Sequence, residues 1–118
     1  MKTRQVLGLL IIGLGLSLLG WALDVPHAWA DAAEHVGEAI EHANEALKEG
    51  KQGDTDLMVQ HADGALRYAK EAQKLMPSDH LGEAIDELRA AVFEGKAGHP
   101  EAGIQHVEKA LEHLSAVK

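Results

Sequence analysis

The chain has 118 residues, no cysteine, four residues of the Phe/Tyr/Trp type, and 19 acidic against 11 basic side chains, a formal net charge of −8 with eight histidines counted neutral. That length holds one small domain, and the acidic balance argues against nucleic acid, whose phosphates need clustered Lys and Arg. The missing cysteine excludes disulfides, thiolate metal sites, iron–sulfur clusters and haem attached through C-x-x-C-H, and three serines with two threonines leave few nucleophiles for Ser/His/Asp chemistry.

The N-terminus reads as an export signal. Lys2 and Arg4 precede an uncharged run over 6–23, followed by Asp24, the helix-breaking Pro26 and the small-x-small end Ala28, Trp29, Ala30. Cleavage is expected between Ala30 and Asp31, giving a signal peptide over 1–30 and a mature domain over 31–118 in the periplasm or outside the cell. The competing reading is a retained anchor, because 18 apolar residues just span a bilayer. Four glycines in that run and the small-x-small end favour cleavage. The mature 88 residues keep seven histidines but neither tryptophan. An exported chain without disulfides must be held together by other means.

The mature part repeats itself. A shift of 45 residues aligns His35, Gly37, Glu38, Ala39 and Ile40 with His80, Gly82, Glu83, Ala84 and Ile85, and gives 14 identities over positions 35–69 without a gap. A shift of 26 aligns His35 and His80 with His61 and His106, so the unit is one helix used four times, in repeats 31–75 and 79–118. Val36, Ala39, Ile40, Ala43, Ala46 and Leu47 recur at helical steps on a background of Ala, Glu, Leu and Lys. Gly50 and Gly53, then Gly95 and Gly98, stop helices; Asp54 or Thr55 caps the next one, and Pro100 suits a first helical position. Helices are predicted near 32–49, 55–75, 80–94 and 100–116. Short connections make neighbours antiparallel, so the expected fold is an all-α, up-down-up-down four-helix bundle with a thin, alanine-rich core. Met58 and Met76 read as core fillers, and His99 as a turn or cap residue.

Heptad letters with Val36 at a and Ala39 at d place His35, His42, His61, Tyr68, His80, Glu87, His106 and His113 all at g. The e positions are Ile40, Leu47, Val59, Leu66, Ile85, Val92, Ile104 and Leu111. One type of seam between helices is therefore apolar and the other rich in imidazole. Equal offsets from the turns, at about 1.5 Å rise per residue, level His42 with His61, His35 with Tyr68, Glu87 with His106 and His80 with His113. Glu38, Glu45 and Glu83 follow His35, His42 and His80 by three residues, as neighbours on the helix surface. Imidazoles and carboxylates converging without thiolate suit Cu(II), Ni(II), Zn(II) or Co(II), with Cu(II) first in affinity order. Several sites of two or three protein ligands fit this pattern better than one closed tetrahedral site.

The repeated His-x-x-x-Ala-(Ile/Leu) unit resembles the small metal-binding protein family of ammonia-oxidising and related bacteria. The stretches that carry the likeness run over 35–43, 49–53 and 104–113, and the resemblance covers essentially all of 31–118. It implies a periplasmic four-helix bundle that binds several divalent ions, copper above all, in copper handling. By position it implies ligand roles for His35, His42, His61, His80, His106 and His113, with Tyr68 and Glu87 standing where further histidines are expected.

The competing function is an acidic structural or protein-interaction bundle with no specific metal role. An enzyme is not expected. The chain has neither the Glu-x-x-His of di-iron bundles nor H-E-x-x-H, and an alanine-lined core leaves little room for haem. The expected partners are metal ions, with no nucleic acid, no membrane after cleavage, and a monomeric state.

Overall fold

The computed structural model describes residues 26–118, so the apolar run over 6–23 and most of the expected signal peptide lie outside the described residues. Four helices follow in order: α1 (His27–Lys51), α2 (Thr55–Leu75), α3 (Asp79–Lys96) and α4 (Pro100–Ser115). Each helix ends where its local chemistry directs. Gly53 and Gly98 take φ of +88° and +82° just past α1 and α3, a left-handed conformation that glycine adopts without a Cβ penalty. Asp54 caps α2 by accepting a hydrogen bond from the Leu57 backbone N–H at 3.0 Å, and Ser78 accepts from Leu81 N–H at the start of α3. His99 occupies the N-cap position of α4 without capping through its side chain; its ring pairs instead with Glu94 at 2.8 Å.

The first helix starts earlier than its predicted residue 32. Pro26 stands at the N-cap and the helix begins at His27, so the last residues of the expected signal peptide are helical in this chain. Proline breaks a helix only from within. Ahead of the first turn its fixed φ and missing N–H cost nothing, and alanine at 28, 30, 32 and 33 carries the helix onward.

The chain is an all-α four-helix bundle. Helix α1 packs against α2 and α4, and α3 against α2 and α4, which closes a four-sided ring of contacts. Alanines 39, 43, 46, 62, 65, 69, 72, 84, 91 and 110 fill most of the core. The largest fully buried side chains are Met58, Leu81, Leu88, Leu114 and Val107. The apolar e residues Ile40, Leu47, Val92, Ile104 and Leu111 pack at the core margin, half-buried, with Leu66 and Ile85 buried.

Met58 is more than a filler. A Cβ built on Gly50 of α1, Gly95 of α3 or Gly103 of α4 would come within 2.6–3.2 Å of its side chain. One glycine from each of the other three helices thus opens the space that this thioether occupies, near the end of the bundle that carries the two glycine turns. Among the described residues no helix is long and apolar enough to cross a membrane.

Candidate metal centre

The g positions meet across the α1/α2 and α3/α4 seams. On the first, Nδ1 of His42 lies 3.5 Å from Nδ1 of His61. The His42 ring is tilted against His61 at a centroid distance of 5.7 Å and stacked on Tyr68 at 5.4 Å. Tyr68 in turn sits 5.9 Å from the His35 ring. Four rings, drawn alternately from α2 and α1, form a ladder in the order His61, His42, Tyr68, His35. Nδ1 of His35 is buried and has no hydrogen-bond partner among the described residues. Below the ladder, a hydrogen bond and charge from Lys74 hold the Glu71 carboxyl under its usual pKa range, with a smaller contribution from His35.

The second seam is built from imidazole and carboxylate. His113 Nδ1 lies 2.9 Å from Glu83 Oε2, and His80 Nδ1 lies 3.6 Å from the same oxygen. The His80 and His113 rings are 5.8 Å apart. Two turns away, His106 Nδ1 meets Glu87 Oε2 at 2.6 Å, both side chains about three-quarters buried. In each hairpin these pairs descend one helix as they climb the other, so their two helices run antiparallel.

Among the described residues, His80, Glu83 and His113 form the group whose donor atoms all lie within 4.8 Å of one another. Two imidazole nitrogens and a carboxylate oxygen at that spacing are a fit donor set for a divalent transition metal with open coordination positions. Since no thiolate is available, the set suits borderline ions.

The sequence-predicted residues therefore divide unevenly. His80, Glu83 and His113 form one three-donor cluster; His42 pairs with His61, and His106 with Glu87. His35 meets Tyr68. Glu38 and Glu45 do not join a three-donor group. Glu45 lies 3.9 Å from Lys48, one turn along its own helix, while the His42 ring meets His61 and Tyr68 of α2. Two features escape sequence reasoning. One is the His99–Glu94 pair across the second glycine turn. The other is Gly64, a mid-helix glycine between His61 and Tyr68, over which the His42 ring lies.

A family model described as Small metal-binding protein matches residues 10–117. The chain belongs to the small metal-binding protein family. The match takes in all four helices and every residue of both histidine seams. A comparison with curated proteins gave no match. Membership and the His80, Glu83, His113 cluster agree on metal binding.

Proposed function

We propose that this protein is an exported buffer or handling protein for divalent transition metals, Cu(II) foremost, with Ni(II), Zn(II) and Co(II) as weaker or competing cargo. The observation that carries the reading is the convergence of His80, Glu83 and His113, with their donor atoms within 4.8 Å. The bis-imidazole pair His42–His61 supplies a second site, and His106 with Glu87 a third. His35 is a further ligand at the Tyr68 level, and Glu38 and Glu45 are carboxylates available to α1 once an ion draws them in. Cu(II) comes first because it stands at the top of the affinity order for nitrogen and oxygen donors. The export signal over 1–30 supports a periplasmic or secreted location, where a net-negative bundle attracts cations. Open coordination positions suit reversible loading better than permanent storage.

Calorimetric titration of the purified protein with Cu(II) and Zn(II) at pH 7.5 tests the reading. It expects more than one ion per chain, with Cu(II) held more tightly. Absence of binding heat, with no change in melting temperature, would refute it and leave the acidic interaction bundle.

A further inference from the structure

A glycine inside a helix is unfavourable relative to alanine, through backbone entropy and lost packing. Gly64 stands in the middle of α2 and is buried. A Cβ added there would lie 3.1 Å from Nδ1, 3.2 Å from Cγ and 3.3 Å from Cε1 of His42. By contrast, a Cβ on Gly37 of α1 would meet nothing within 4 Å. His61, Gly64 and Tyr68 follow one another at helical spacing along one face of α2, so they make a slot. Its floor is the bare backbone of Gly64, and its two ends are the His61 and Tyr68 rings. The His42 imidazole of α1 fills that slot, stacked on Tyr68 and in contact with His61.

The other hairpin shows the alternative. There the residues facing one another are Glu87 and His106, and the position equivalent to Gly64 is Lys109. There the carboxylate reaches its imidazole without a slot, whereas on the first seam the His42 ring lies between two rings of α2 and over bare backbone.

We propose that Gly64 is a positioning residue for metal capture, holding His42 at the bite distance that a bis-imidazole site requires. This rests on the reading of His42 and His61 as metal ligands. With metal–nitrogen bonds of about 2.05 Å, two imidazole nitrogens stand roughly 3.3 Å apart around a tetrahedral ion and roughly 2.9 Å apart as cis ligands of a square-planar one. The two Nδ1 atoms stand at 3.5 Å before any ion arrives, close to the tetrahedral spacing. A methyl group on residue 64 would stand 3.1–3.3 Å from the ring, so the ring must give by a few tenths of an ångström and leave this seat beside His61.

The test follows the imidazole NMR signals of the full chain while Zn(II) is added, so both seams report from one sample. In Gly64→Ala, Zn(II) affinity at His42 and His61 is expected to fall about 10- to 100-fold, as for residues that orient metal ligands. The His80 and His113 signals should titrate as in the parent. The control Gly37→Ala should leave both seams unchanged. In the reverse direction, Glu87→His combined with Lys109→Gly should raise affinity at His106 more than Glu87→His alone. Unchanged affinity at His42 and His61 in Gly64→Ala, equal losses at both seams, or equal gains from the single and double variants would each overturn the role of Gly64. If His42 and His61 of the parent chain do not respond to Zn(II) at all, the metal reading of that seam fails first and takes this proposal with it.

Discussion

Replacing Met58 by alanine should be the most damaging single truncation in the bundle. Met58 is 0 % exposed, and its side chain lies against positions 50, 95 and 103, all glycine. Truncating a buried methionine to alanine costs about 2–5 kcal/mol, and the cost rises with the volume of cavity that fails to collapse. Here collapse is hindered, because those three walls have no side chains to swing into the void. The loss should therefore fall in the upper half of that range. At roughly 0.05–0.15 kcal/mol per residue, a bundle of this size is stable by only about 5–13 kcal/mol, so one truncation removes a large share. Each kcal/mol moves the melting temperature of a domain this small by about 4–8 °C. Thermal unfolding of metal-free protein followed by circular dichroism should show a fall of about 14–40 °C for Met58→Ala. Met58→Leu conserves most of the volume and should lose less than about 1.5 kcal/mol. A fall of under about 5 °C for Met58→Ala would show that the three glycine walls close up, and would refute the packing account.

Three further outcomes test the metal reading. If His42 and His61 share one ion, then His42→Ala, His61→Ala and the double variant should each lose about one ion by titration, and additive losses would show that they act separately. Glu83→Gln should weaken the His80–His113 site and spare the His42–His61 pair, which calorimetry with Zn(II) resolves. Imidazole coordinates only when neutral, and free histidine titrates near pH 6.5, so proton competition is small above that value and grows as pH falls through it. Stabilisation by saturating Cu(II) should therefore be full at pH 7.5 and largely lost at pH 5, as read by melting temperature.

Much of the fold was legible because its signals are local. Glycines 53 and 98 and Pro100 end or start helices through their own backbone preferences and Asp54 through its side-chain cap, and three of the four described helices begin within a residue of their predicted starts. The first does not, since Pro26 permits the helix that follows it. The levels of the histidine seams were legible too, because turn offsets and a fixed rise determine height. What the offsets do not contain is rotamer choice and third-party contact. Glu45 lies by Lys48 and Glu83 reaches His113, although both glutamates stand at c positions. The room that Gly64 makes for His42 depends on a neighbouring helix, and the Met58 nest on three of them, so neither leaves a periodic trace in the chain.

The placement of the ligands separates loading from folding. Every close pair along the two seams, His42–His61, His35–Tyr68, His80–His113 and Glu87–His106, lies within one hairpin, either α1 with α2 or α3 with α4. The hairpins hold one another by different means: apolar e residues, Met58 among its glycines, and the exposed Lys51–Glu108 pair at 3.4 Å between α1 and α4. An exposed ion pair contributes little, so the apolar contacts carry the docking. An ion on either seam then ties two helices that a short turn already joins, and leaves the surface between hairpins untouched. Loading should add stability by mass action, since the unfolded chain lacks the converged donors, without moving one hairpin against the other. The proposed buffering role would benefit from this division, because emptying a seam would not undo the core that keeps its side chains in place.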